Sequence, residues 1–91
     1  MLKVIDVWAP WCGPCKMMMP TIEKLAKEFS VEDSNVEIIK INADENPDQV
    51  AKYQVRGIPT LLFEKDGEIV ARLVGVQQEA TIRETINTFS N

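Results

Sequence analysis

An apolar run rich in β-branched residues, Leu2–Trp8, stops at Ala9-Pro10, and beyond it the hydrophobic spacing changes from continuous to every third or fourth residue. A continuous run of this kind marks a strand buried on both faces, which needs cover on both sides. From about Gly13, the residues Met18, Ile22, Leu25, Ala26 and Phe29 fall on one face of a helix. Pro20 lies inside that helix, and its missing N–H predicts a kink. After a polar loop over residues 30–35 comes a second strand, Val36–Asn42. Two strands joined by a long helix should lie parallel through a right-handed crossover. The change of period thus commits the chain to an α/β architecture.

The remainder extends that plan. Asn46-Pro47 opens a short helix, with Asn as N-cap and Pro at the first position, ending before Gly57. Residues 60–63 and 69–74 read as two strands joined through Asp66-Gly67, a strong hairpin signal. Gly75 breaks the second of them, and Ile82, Ile86 and Phe89 mark a closing amphipathic helix. On the first helix, Glu23 with Lys27 and Lys24 with Glu28 are spaced for pairs along the solvent side. The expected order is β-α-β-α-β-β-α: a mixed four-stranded sheet with helices on both faces. The 91 residues show no repeat and no linker, so residues 1–91 are expected to form one domain.

Composition narrows the function classes. Apolar residues make up 45 % and charged residues 26 % of the chain, an ordinary globular mixture that excludes collagen, low-complexity disorder and a coiled coil. Ten basic against 14 acidic residues leave a net charge of −4 with no basic cluster, so nucleic acid and anionic membrane are not expected partners. The longest uncharged run, residues 7–15, is nine residues and holds two prolines, against the roughly 20 apolar residues a membrane span requires. Asp6 interrupts the N-terminal apolar stretch too early for a signal peptide. Two cysteines without an export signal point to a reducing compartment, and the expected location is the cytoplasm.

The segment Trp11-Cys12-Gly13-Pro14-Cys15-Lys16 sits where the first strand hands over to the first helix. A helix N-terminus offers unpaired N–H groups and the positive end of the dipole, which favours a thiolate at Cys12. Cys15 is three residues on, on the same helix face, with its Cβ pointing back toward the N-terminus, so the two sulfurs can meet. Gly13 keeps the approach open, and Pro14 stiffens the first turn where an absent N–H costs little. Three other readings compete. A structural disulfide across so short a loop gains little entropy. Structural zinc wants four ligands, and the chain has two cysteines and no histidine. Inert core cysteines do not suit a loop-to-helix junction. A dithiol redox pair fits best.

The stretch from Val4 through Lys16 and the stretch Arg56-Gly57-Ile58-Pro59-Thr60 together resemble the thioredoxin family, in register from residue 2 to the end. The resemblance implies a thioredoxin-like fold and thiol–disulfide exchange on protein substrates. It also implies a redox-active disulfide in place of a bound cofactor or metal, and recharging by an external NADPH-dependent flavoprotein of the thioredoxin reductase type. One departure is plain: the family ordinarily carries a further strand and helix ahead of the active-site strand, and this sequence starts almost at that strand. In size the outline is closer to a glutaredoxin, but Gly13-Pro14 does not support glutathione as substrate.

Several residues gain a role beside the cysteines. Asp6 lies mid-strand in apolar surroundings, and with no histidine in the chain a base must be a carboxylate. The strand alone leaves a solvated edge acid and a buried base equally open; the resemblance places a buried acid here, able to take the Cys15 proton. Lys40 is the only charge in the interior of the second strand after Glu37 and either pairs with Asp6 or faces solvent. Trp8 is expected to pack beside Asp6, and Trp11 to be a partly exposed contact for partner proteins. Base rates favour a trans Ile58–Pro59 bond, whereas the resemblance implies cis, with the Ile58 backbone aimed at the cysteines so that a substrate strand can pair with it. Gly57, Val74 and Gly75 would complete a shallow apolar groove. Of the run Met17-Met18-Met19, only Met18 is expected on the core face. The expectation is a monomeric protein-disulfide reductase; the alternatives are a thioredoxin-like binding subunit without turnover and a glutathione-linked, glutaredoxin-like reductase. The absent first strand would leave the second strand at an edge open to self-association.

Overall fold

The computed structural model describes residues 1–31 and 34–90. Seven elements follow in the expected order: β1 (Leu2–Trp8), α1 (Gly13–Glu28), β2 (Val36–Asn42), α2 (Pro47–Lys52), β3 (Thr60–Lys65), β4 (Glu68–Val74) and α3 (Glu79–Phe89). The strands form one mixed sheet in the order β2-β1-β3-β4. β1 runs parallel to β2 and antiparallel to β3, and β3 runs antiparallel to β4. Of the loop expected over residues 30–35, residues 32 and 33 lie outside the described set.

The central place of β1 explains its composition. Alternate residues feed different cores: Leu2 and Val4 pack with Met18, Ile22 and Leu25 of α1 and Ile82 and Ile86 of α3. Ile5 and Val7 join Leu62 and Ile41 on the other face, against Val50 and Tyr53 at α2. This is the period of two, with both faces covered, that a continuous apolar run demands. Fully burying side chains of this size contributes about 1.5–3 kcal/mol each, so the twelve largest buried side chains, Phe63 foremost, dominate cohesion.

Departures from the expected details have local causes. β3 and β4 run longer than the apolar residues alone suggest, because Glu64, Lys65 and Glu68 continue the ladder at its solvated end. The register shifts after Phe63, leaving Val70 as an extra residue on β4. Asp66 and Gly67 both have positive φ, 52° and 85°, as a two-residue turn matching strand twist requires. Asn46 occupies the N-cap position of α2 without a side-chain cap bond; its side-chain Nδ2 donates to the Asn42 carbonyl at 2.9 Å instead. The charges on α1 reach across to other elements: Lys24 to Glu79, Glu28 to Arg83 and Glu23 to Lys40. α3 packs beside α1, and a guanidinium able to hold two carboxylates wins over the short-range pairs expected along α1. α1 runs through Pro20 as one helix. Among the described residues no helix is long and apolar enough to cross a membrane.

Candidate active site

The parallel strands β1 and β2 end side by side, and the loop leaving β1 becomes the N-terminus of α1. Cys12 is the N-cap residue of that helix, in extended conformation with φ −87° and ψ 107°. Its amide donates to the Ala9 carbonyl at 3.1 Å, closing the turn that follows β1. The amide of Cys15 donates to Cys12 Sγ at 3.2 Å. A sulfur thus takes the position where a serine or aspartate oxygen ordinarily caps a helix. No acidic residue lies in the first turn of α1 to compete with negative charge there. Gly13 and Pro14 open the helix, and a Cβ on Gly13 would meet nothing within 4 Å.

Cys12 and Cys15 are joined as a disulfide with their Cα atoms 5.3 Å apart. Both side chains are buried, at 4 % and 3 % exposure, so burial does not rank one above the other as the attacking atom. Their positions differ: Cys12 precedes the helix and neighbours exposed Trp11 and Gly13, whereas Cys15 lies within the first turn. Ala9 completes their cluster, with Trp8 and Ile58 packed against it. Trp8 is thereby placed against the cysteines as well as at the strand end.

Ile58 belongs to the loop ahead of β3, and the Ile58–Pro59 bond is cis. The loop is tied down by the Thr60 hydroxyl donating to the Gly57 carbonyl and by the Gly75 amide donating to the Pro59 carbonyl at 2.9 Å. Gly75 has φ of 88°, a conformation that L side chains rarely adopt, which explains glycine at the end of β4. Gly57 and Val74 are exposed on the same side, Val74 directly opposite Thr60 in the β3–β4 register. The residues expected to line a groove are therefore brought together beside the cysteine cluster. Met18 is buried and Met17 exposed, as their helical positions require.

Asp6 is 3 % exposed, and among the described residues its Oδ1 has no hydrogen-bond partner. Burial pushes its carboxyl up to about 6, and the positive charge of Lys40 pulls in the opposite direction. Lys40 stands directly opposite Asp6 in the β1–β2 register. The ammonium, however, lies 3.8 Å from Glu23 of α1, so Lys40 acts on Asp6 as a nearby charge and not as a bonded partner.

One residue escaped the sequence reading. The indole Nε1 of Trp11 donates to both oxygens of Asp44, at 3.1 and 3.0 Å, while the ring remains 69 % exposed. Asp44 is held by its own amide, which donates to Asn42 Oδ1 at 3.0 Å. The signal was present in outline: Trp8 and Asn42 are register partners, so the chain just beyond each strand meets the chain beyond the other.

A sequence model described as thioredoxin matches residues 1–88. A thioredoxin of Staphylococcus epidermidis is 45 % identical over 86 residues, spanning 94 % of this chain and 80 % of that protein. Among solved structures, a mutant thioredoxin from Halobacterium salinarum superposes with a TM-score of 0.87 at 37 % identity, covering 99 % of this chain and 75 % of that one. The thioredoxin of Fasciola hepatica gives 0.85 at 44 % identity, with coverages of 96 % and 79 %.

Proposed function

The chain belongs to the thioredoxin family and is a thiol–disulfide oxidoreductase acting on protein disulfides; from that premise we propose how its residues divide the work. The observation that carries the division is the Cys12 sulfur seated as the N-cap of α1 with the Cys15 amide aimed at it. In the reduced protein the same amide and the positive helix terminus favour a thiolate on Cys12. That thiolate attacks one sulfur of a substrate disulfide: a Cys12–substrate S–S bond forms, the substrate S–S bond breaks, and one substrate thiolate leaves. Cys15 then gives up its proton and attacks Cys12 Sγ, forming the Cys12–Cys15 disulfide and expelling the second substrate thiolate. The substrate gains two electrons and the protein loses two.

Asp6 is the base for the second step, directly or through a water. A carboxyl held near 6 accepts a proton at neutral pH more readily than an ordinary aspartate. Lys40 limits how far that value rises, so it tunes the base from the neighbouring strand. Trp11, Gly57, Ile58, Pro59, Val74 and Gly75 receive the substrate segment, whose backbone pairs with that of Ile58. Gly13-Pro14 keeps the nucleophile accessible and the first turn stiff.

The reading includes recharging by an NADPH-dependent flavoprotein reductase, and a cytoplasmic location where the dithiol is kept reduced. It treats residues 1–91 as one working domain, a monomer that takes protein disulfides rather than nucleic acid or membrane. Insulin reduction by dithiothreitol, followed by turbidity with and without the protein, tests it. Marked acceleration is expected; precipitation no faster than with dithiothreitol alone would reject the reading.

A further inference from the structure

Among the described residues, two of the chain's three arginines form no ion pair with a carboxylate, and both line one hollow. Arg83 is fully engaged, by Glu28 at 2.7 and 2.9 Å and by Glu79 at 2.9 Å. Arg56 and Arg72, both exposed, instead border a cavity of about 270 Å³ together with Gln54, Gly57, Thr60 and Val74. Among the described residues no carboxylate lines it. Among the described residues neither arginine forms an ion pair. In a chain of net charge −4, two guanidinium groups that form no ion pair with a described residue make this hollow a local inversion of the overall charge.

The hollow continues the surface assigned to substrate above. Gly57 and Val74 belong to both. Arg56 immediately precedes Gly57, and Arg72 lies two residues before Val74 on β4, on the same face of the strand. Arg72 Nη2 donates to the Tyr53 carbonyl at 2.6 Å, which fixes the guanidinium on the end of α2. A guanidinium has five N–H donors in a planar fork, so this one bond leaves donors free for a carboxylate. The volume lies below the roughly 300–1,000 Å³ of small-molecule sites, which suits one side chain of a bound polypeptide better than a free metabolite.

We propose that Arg56 and Arg72 form a specificity pocket for an acidic side chain on the substrate polypeptide, close in sequence to the disulfide being reduced. The inference rests on the substrate surface proposed above. A segment paired with the Ile58 backbone would carry its neighbouring residue past Gly57 toward the two arginines. Asp44, bonded to Trp11, sets the opposite charge beside Trp11, so an acidic residue is directed to the arginine hollow and away from the tryptophan.

The test uses cyclic disulfide peptides identical except for Glu, Gln or Lys beside one cysteine, on either flank. Rates of oxidation of the reduced protein are compared at low and high salt. On one flank the Glu peptide should react roughly three- to tenfold faster than the Gln peptide, the scale of two exposed charge pairs. That ratio should shrink toward one near 1 M salt, where the Debye length is about 3 Å. In Arg56→Gln/Arg72→Gln the Glu-to-Gln ratio should fall to about one, and in Arg56→Glu/Arg72→Glu the Lys peptide should become preferred. Equal rates for Glu and Gln peptides on both flanks, or a ratio untouched by the double variants, would overturn the pocket while leaving the reductase intact. No reaction with any peptide would overturn the reductase reading together with the pocket.

Discussion

The amide of Cys15 donates to the sulfur of Cys12 at 3.2 Å, so the sulfur proposed as the nucleophile is also the cap of the helix that presents it. A cap is ordinarily a stability device and a low-lying thiolate a catalytic one. In the proposed mechanism one atom serves both, which couples the stability of the α1 terminus to the charge on the sulfur.

That coupling predicts a difference between two small substitutions. Cys12→Ser keeps an acceptor at the cap and Cys12→Ala removes it, while both abolish the disulfide. Urea unfolding should find the alanine variant less stable by about 1 kcal/mol. Equal stabilities would mean that the Cys15 amide gains nothing from its partner.

Asp6 gives a pH signature. In the unfolded chain its carboxyl titrates near the ordinary 3.8, and in the folded chain near 6. At low pH both states are protonated and the group costs nothing. As pH rises, the unfolded chain ionises first, and above the folded value the native state must bury a charge. The lost stability is fully expressed at neutral pH, at about 3 kcal/mol for an elevation of this size. Measured on the oxidised protein, Asp6→Asn should therefore gain about 2–3 kcal/mol on the wild type between pH 4 and pH 8. In turnover it should slow release of the mixed disulfide more than its formation. A stability difference that does not change with pH would contradict a buried, neutral-prone carboxyl.

Trp11 is mostly exposed, so packing contributes little there, and the role proposed for it is contact with substrate. Trp11→Ala should shift stability by no more than about 0.5 kcal/mol, yet lower kcat/KM severalfold for a protein disulfide, with a smaller loss for hydroxyethyl disulfide. Asp44→Ala, which frees the indole, should show the same contrast more weakly. Equal losses on both substrates would assign Trp11 to the chemistry of the cysteines instead.

The order of elements and the two covered faces of β1 were legible because hydrophobic period is local: Leu2–Trp8 and the Met18, Ile22, Leu25 stripe carry their own answer. The Cys12–Cys15 pair was legible for the same reason, three residues apart at a strand-to-helix junction. Pairings between distant segments were not. Trp11 with Asp44, Lys40 with Glu23, Glu28 with Arg83, and Arg56 beside Arg72 all depend on which strand ends and helix faces become neighbours. Asp6 stood between these cases. The strand left its burial open and the family resemblance supplied it, while Lys40 turned toward Glu23 because an ammonium on a flexible stem loses less near solvent than buried beside a carboxylate.

The division of labour between the cysteines is tested most directly by trapping. Cys15→Ser and Cys12→Ser, each reduced and mixed with insulin, are compared on non-reducing gels and by intact mass. Cys15→Ser should accumulate a covalent adduct with insulin, because Cys12 attacks one disulfide and nothing resolves, whereas Cys12→Ser should remain free. Equal adduct on both variants, or adduct on Cys12→Ser alone, would contradict the assignment of Cys12 as the attacking sulfur.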